Sequence, residues 1–248
     1  MCVAAIYDIH ANLPALEAVI DDVRQVGVGR VVVGGDVVPG PMPHETLARL
    51  LDLDLPIHFI QGNGEVAVLA EMAGQDSGVP EQFRAGLQWN AQQLTPEDTQ
   101  LLDSWPKTLR LEIPNRGEVL FCHATPRNEK EIFTHATAEE RVLLAFAGVD
   151  VQLVVCGHTH MQFDRMIGGI RVVNAGSVGM PFGEPGAYWL LVESDNVELR
   201  HMRYDLVSAA ERIRQSGYPQ AQEFAARNVL QPPTEAEMLQ AFAQAELN

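Results

Sequence analysis

A chain of 248 residues, 46% of them hydrophobic, can bury a large core, and α/β chains of this length often fold as one unit. Its 33 acidic side chains against 17 basic ones give a formal net charge of -16. Such a field repels nucleic acid, polyphosphate chains and anionic membranes, so an anionic substrate needs a local positive centre, which metal ions can supply.

Residues 2–7 (CVAAIY) read as a buried strand, and Leu13, Leu16, Val19, Ile20, Val23 and Val26 then mark one helical face. Pro14 falls in the first turn of that helix, where its missing N–H costs little. A second strand is expected at 30–33, a second helix at 43–52 and a third strand at 56–61. This alternation predicts a parallel sheet with helices packed on it. Helices are expected to fill 65–104, the last opening at Thr95 with an acidic first turn, and Thr137 with Glu140 reads as a capping box for another. Strand candidates follow at 107–113, 118–122, 151–155, 161–166, 170–174, 187–193 and 196–201. Several lie too close together for helical crossovers, so the second half is expected to form a mostly antiparallel sheet. From Asp205 the chain reads as an acidic helical extension, broken at Gly217-Tyr218-Pro219 and Pro232-Pro233 and restarted by Thr234. The division expected is therefore one α/β domain over 1–204 and an annex over 205–248 that holds no site residue.

The N-terminal residues lack the basic segment and cleavage site of a signal peptide, and no apolar stretch reaches the roughly 18 residues of a membrane span. Cys2, Cys122 and Cys156 have no paired spacing and read as reduced core thiols. A cytoplasmic protein with no membrane partner is expected.

Five short motifs place a metal-capable side chain where a strand ends: Asp8-Ile9-His10, Gly35-Asp36, Gly62-Asn63, His123, and Gly157-His158-Thr159-His160. Taken singly, each has an ordinary reading as a solvated turn or a core histidine. Their order decides otherwise, because four of the eight histidines fall at successive strand ends, and strand ends of an α/β sheet converge on one edge. The D-x-H and H-x-H spacings let both members of each pair face one site. Carboxylate, imidazole and amide oxygen together suit Mn, Fe, Co or Zn.

This run of motifs resembles that of the calcineurin-like metallophosphoesterases, and Asn174-Ala-Gly-Ser-Val-Gly-Met-Pro181 looks like the Asn-Pro-Gly-Ser loop of their small bacterial and archaeal branch. The resemblance covers residues 3 to about 202 and implies a four-layer α/β/β/α fold of two sheets flanked by helices, with the helical annex added at its C-terminus. It also implies a dinuclear centre in which Asp8, His10 and His160 bind one divalent ion, Asn63, His123 and His158 bind the other, and Asp36 bridges them. Manganese is the ion most expected, with Fe, Zn, Co or Ni as alternatives. Asp36 and Asn63 are the expected catalytic residues. The activity implied is hydrolysis of a phosphoester or phosphoanhydride, as a phosphodiesterase or phosphatase.

The pattern breaks at one place. Many relatives carry Gly-Asn-His in the third motif, and that histidine assists phosphate binding and the leaving group; here the run is Gly62-Asn63-Gly64-Glu65. Without a general acid, hydrolysis should favour acidic leaving groups, so nucleotides or dinucleoside polyphosphates are the expected small substrates. Glu65 reads first as an acid at a helix N-terminus and second as a replacement acid. Asn63 and Arg127 are the candidate substrate contacts. His44, His58, His135 and His201 are assigned structural or solvent roles, and Met161, Met166 and Met180 core-filling ones. Two rival functions stand beside the leading one, a protein serine/threonine phosphatase and a non-catalytic metal-binding scaffold of the kind the retromer subunit represents. The C-terminal helices could pack on their own domain, cover the cleft or join subunits into a homo-oligomer.

Overall fold

The computed structural model describes residues 2–245 and 247; residues 1, 246 and 248, at the ends of the two expected spans, lie outside the described residues. The chain opens as β1 (Val3–Ile6), α1 (Leu13–Val26), β2 (Arg30–Val33), α2 (Pro43–Leu51) and β3 (Ile57–Phe59). Local chemistry sets these limits. Asn12 Oδ1 accepts from Ala15 N at 3.3 Å to start α1, and Gly27, at φ 73°, stops it while its N–H reaches Val23 O. Three helices follow, α3 (Asn63–Met72), α4 (Glu81–Gln93) and α5 (Pro96–Asp103), the last opened by a reciprocal Thr95–Asp98 capping box.

The second half runs β4 (Thr108–Ile113), β5 (Gly117–Cys122), α6 (Glu139–Val142), a 3-10 turn (Leu143–Phe146), β6 (Leu153–Cys156), β7 (Phe163–Ile167), β8 (Ile170–Asn174), β9 (Ala187–Val192) and β10 (Val197–Met202). The extension forms α7 (Leu206–Arg214), α8 (Ala221–Phe224), a π-helical turn (Ala225–Leu230) and α9 (Glu235–Phe242).

Two five-stranded sheets result, in the orders β10-β9-β1-β2-β3 and β4-β5-β6-β8-β7. Alternation along β1 shows how they stack. Val3, Ala5 and Tyr7 pack between the sheets with Val119, Phe121, Val155 and Val173, while Ala4 and Ile6 face α1 through Leu16 and Ile20. A third cluster, with Phe133, Val142 and Phe146, covers the outer face of the second sheet. These are the four layers.

The second sheet is mixed rather than mostly antiparallel, since β5, β6 and β8 run parallel. Residues 123–152 contain α6 and supply the crossover that a parallel pair needs. β9 and β10 leave that sheet and pair antiparallel beside β1. β9 is apolar on both faces, with Trp189 and Leu191 toward the helices and Leu190 and Val192 between the sheets, so it requires a place covered on both sides. The expected Thr137–Glu140 capping box does not form: α6 starts after Ala138 with no side-chain cap, and Thr137 Oγ1 accepts from Thr134 N instead. Met161 is buried as expected, but Met166 is 55% exposed because β7 is an edge strand. All three cysteines are free. No helix among the described residues is long and apolar enough to cross a membrane.

Candidate metal centre

Every motif residue follows the carboxyl end of a parallel strand: Asp8 and His10 after β1, Asp36 after β2, Asn63 at the start of α3 beyond β3, His123 after β5, and His158 and His160 after β6. The chain turns sharply there. Asp8, His10, Asp36, His158 and His160, five of the seven candidate ligands, have φ between 47° and 68°. Non-glycine residues rarely hold that left-handed conformation, and such strain gathers where function over-determines the backbone. Strand-end hydrogen bonds fix it here: Asp8 N donates to Gly35 O at 3.1 Å, His10 N to Asp36 O at 2.8 Å, and Ala11 N to Val37 O at 2.7 Å.

The side chains meet in two groups that share Asp8, one of Asp8, His10 and His160 and one of Asp8, Asp36 and His123. His160 Nε2 lies 3.3 Å from Asp8 Oδ1 and 3.2 Å from His10 Nε2. His123 Nε2 lies 2.9 Å from Asn63 Oδ1, 3.5 Å from Asp36 Oδ1 and 3.8 Å from Asp8 Oδ1. The other Asp36 oxygen, Oδ2, is 3.7 Å from His10 Nε2. Asp36 thus presents one oxygen to each half of the cluster. His158 stands beside it, with its ring 5.1 Å from that of His123 and its backbone N–H donating to Asp8 Oδ2 at 2.8 Å.

Backbone carbonyls set the imidazole tautomers. His123 Nδ1 donates to Gly34 O at 2.9 Å and His160 Nδ1 to Met180 O at 2.7 Å; His10 Nδ1 is 3.4 Å from Pro39 O. A neutral ring that donates through Nδ1 leaves Nε2 bare, so these three lone pairs converge on the carboxylates. His158 is turned over, its Nε2 donating to Lys130 O at 3.2 Å, which leaves Nδ1 as its free atom. Asp8 Oδ1 is buried without a hydrogen-bond partner among the described residues. A buried carboxylate oxygen without a hydrogen-bond partner, faced by imidazole nitrogens whose opposite ring nitrogens are already bonded to carbonyls, is a poor arrangement for protein alone and a good one around a cation, so the donor set fits divalent metal.

Titration follows the same crowding. Burial would raise Asp8, but the imidazoles of His160, His123 and His10 hold it below the usual carboxylate range. Burial lowers His10, and it lowers His158 to about 4 with help from neighbouring His123. For His123 burial is outweighed by Asp36 and Asp8, which raise it.

A family model for the calcineurin-like phosphoesterase superfamily domain matches residues 1–196. The chain belongs to that superfamily. Among curated relatives, an uncharacterised protein of Methanocaldococcus jannaschii is 26% identical over 238 residues, covering 88% of this chain and 94% of its own. A metallophosphoesterase from Sphaerobacter thermophilus has a crystal structure with TM-score 0.70 and 28% identity, over 92% of this chain and 99% of its own. A hypothetical protein from Pyrococcus horikoshii shares the fold at TM-score 0.75 and 20% identity, over 90% of this chain and 97% of its own. This calcineurin-like phosphoesterase is accordingly a metal-dependent phosphoester hydrolase.

Residues that the sequence marked only by motif take definite parts at the phosphoesterase site, and Glu65 sits at the N-terminus of α3 as first read. Glu65 is fully buried, and its two oxygens accept from four backbone N–H groups, those of Asp36 at 2.9 Å, Gly62 and Val37 at 2.7 Å and Val38 at 3.2 Å. Burial and nearby Asp36 raise its carboxyl to about 7. Position 64 holds no side chain for a steric reason: a Cβ on Gly64 would overlap the Val38 carbonyl oxygen and stand 2.9 Å from Asp36 Oδ1 and Pro39 Cδ. Its N–H donates to Asp36 Oδ1 at 2.6 Å. From the loop after β8, Ser177 Oγ donates to Asp8 O at 2.7 Å and accepts from Met180 N, while Asn174 Nδ2 reaches Gly157 O at 2.6 Å. Arg127, expected at the substrate, spends its guanidinium on Glu131 in a bidentate pair with Nε at 2.8 Å from Oε1. Only Nη1, 3.5 Å from Leu144 O, lies outside that pair. Of the other histidines, His44 pairs with Asp98, His135 with Glu235, and His201 reaches Pro185 O.

Proposed function

We propose that the chain is a cytoplasmic dinuclear phosphoesterase, manganese-loaded by preference, that hydrolyses phosphoesters or phosphoanhydrides bearing acidic leaving groups, such as nucleotides and dinucleoside polyphosphates. Asp8, His10 and His160 hold one ion, Asn63, His123 and His158 the other, and Asp36 bridges the two. Residues 1–204 form the catalytic unit and 205–248 an addition to it. The observation that carries the metal assignment is the orphaned Asp8 Oδ1 faced by the bare nitrogens of His160 and His123. The two Asp36 oxygens, directed to opposite halves of the cluster, support its bridging role.

Bound divalent ions supply the charge that neutralises phosphoryl oxygens and renders a water acidic enough to attack. The chain's own groups do the positioning. Asn63 turns Oδ1 toward His123 Nε2, which leaves its amide N–H groups to donate to a phosphoryl oxygen. Asp36 is held by the N–H of Gly64 on Oδ1 and by Glu65 at its backbone, so it keeps one orientation through turnover.

The leaving-group preference rests on Gly64 and Glu65. The first has no room for a side chain, and the second is committed to four backbone donors. No side-chain acid stands at the place where relatives carry the histidine, and such an acid contributes about 10² to 10⁴ in rate where the leaving oxygen is basic. Rates over a series of aryl phosphate esters of graded leaving-group pKa should therefore fall steeply as that pKa rises, and a flat profile would remove the preference. Elemental analysis after manganese loading should find two ions per chain. One ion or none would end the dinuclear reading.

A further inference from the structure

The two histidines after β6 are each oriented by a carbonyl on a rim loop. Met180 O, between β8 and β9, receives His160 Nδ1, and Lys130 O, between β5 and α6, receives His158 Nε2. A carbonyl partner fixes ring orientation and tautomer only as well as its own loop is fixed, and loops are the least stable parts of a fold.

The end of the chain touches both loops. On the Met180 side, Pro233 O accepts from Gly183 N at 2.8 Å. Phe242 of α9 packs against Phe182 with ring centroids 6.0 Å apart, and Phe182 stacks on the His160 ring at 5.1 Å and 26°. On the Lys130 side, Glu235 pairs with His135 at 3.5 Å, and Leu247 N donates to Ile132 O at 2.9 Å. No residue of α9 is buried. The helix therefore adds little to the core, in contrast to α7 and α8, whose Ala209, Ala210, Ile213 and Phe224 are part of it. Two of its side chains, Glu235 and Phe242, reach instead the two loops that aim His158 and His160.

We propose that α9 is a strap that ties these rim loops together and so positions His158 and His160 for metal, with Phe242 as its anchor on the His160 side. The inference rests on the reading of both histidines as ligands. It gives the C-terminal extension a part in the site although it contains no ligand.

Manganese titration of the full-length chain, followed by calorimetry, tests it in wild type, Phe242→Ala and Phe242→Leu. Loss of a direct outer partner typically costs about 10- to 100-fold in metal affinity, so a contact one layer farther out should sit near the lower figure, about 10-fold, for Phe242→Ala. Phe242→Leu should recover most of it by restoring apolar contact. The imidazole ¹⁵N resonances of His158 and His160 in metal-free protein should broaden or shift in Phe242→Ala while the thermal unfolding midpoint stays near that of wild type. A merely structural helix would move the midpoint and leave those resonances alone. Should Phe242→Ala fail to fold, the paired change His135→Ala and Glu235→Ala, at exposed positions, removes the side-chain part of the other attachment, leaving the Leu247–Ile132 backbone bond, and should weaken manganese binding in the same direction by a smaller factor. Wild type that takes up no manganese would overturn the ligand assignment itself. Wild type that loads normally, alongside variants that load equally well with unaltered imidazole signals, would overturn the strap alone.

Discussion

Glu65, fully buried, joins the loop after β2 to the turn before α3 through four backbone N–H groups. Stranding a buried donor costs about 1–3 kcal/mol, so Glu65→Ala should destabilise the fold by about 3 kcal/mol or more, read from urea unfolding of the metal-free protein. Glu65→Gln is the sharper probe. It keeps the shape but turns one acceptor oxygen into an NH₂ that meets two N–H donors, so Asp36 and Asn63 lose their register. A positioning role predicts that Glu65→Gln lowers the rate by a similar factor for good and poor leaving groups and weakens manganese binding. A catalytic acid with a carboxyl raised to about 7 would behave otherwise, with losses that grow as the leaving group becomes more basic. That second pattern would return Glu65 to the role of the missing histidine.

At the scale of elements, the loop from Asp36 to Gly40 is the piece on which the centre is assembled, and helices on its far side hold it. Asn90 of α4 accepts from Gly40 N at 3.0 Å and donates to Gly40 O at 3.1 Å and to Gly86 O at 2.9 Å. Asn90→Ala should cost about 1–3 kcal/mol through the unpaired Gly40 groups. It should also raise the manganese concentration needed for half-loading, since the loop carries Asp36. Wild-type stability and loading would show that the clamp is dispensable. Such clamps explain what was legible in the sequence and what was not. Periodicity with Pro14 announced α1, and caps announced α5 and α9, because such signals are local: Thr95 and Thr234 each act within three residues. The clustering of the candidate ligands was legible too, because each follows the carboxyl end of a strand and the structure brings Asp8, His10, Asp36, His123 and His160 together. Glu65 was legible only as an acid at the start of α3; its bonds to the loop after β2, like those of Asn90, span up to 29 and 50 residues, and a hydrogen bond over such a gap leaves no pattern in the chain. The departure of β9 from the second sheet was hidden likewise, since strand spacing says nothing about which edge a strand will join.

The whole molecule carries its charge against its own substrate. With a net charge of -16, the surface opposes an incoming phosphate, and several cations near the site end are already paired: Arg127 with Glu131, Lys107 with Glu129 at 3.1 Å. Attraction is left to whatever metal the buried cluster holds, and that is short-ranged beside a diffuse acidic field. Screening therefore helps. The Debye length falls from about 30 Å at 0.01 M salt to about 8 Å at 0.15 M, which cancels most of the distant repulsion and little of the contact-range attraction. For the manganese-loaded enzyme and a polyanionic substrate, kcat/KM should rise about twofold or more over that interval, while a monoanionic diester should respond less because repulsion scales with substrate charge. Chloride and acetate salts should give the same trend if screening is the cause. A fall in kcat/KM with added salt, steepest for the most charged substrate, would mean that the metal centre's field dominates the approach, and that the acidic surface lies too far from the mouth to matter.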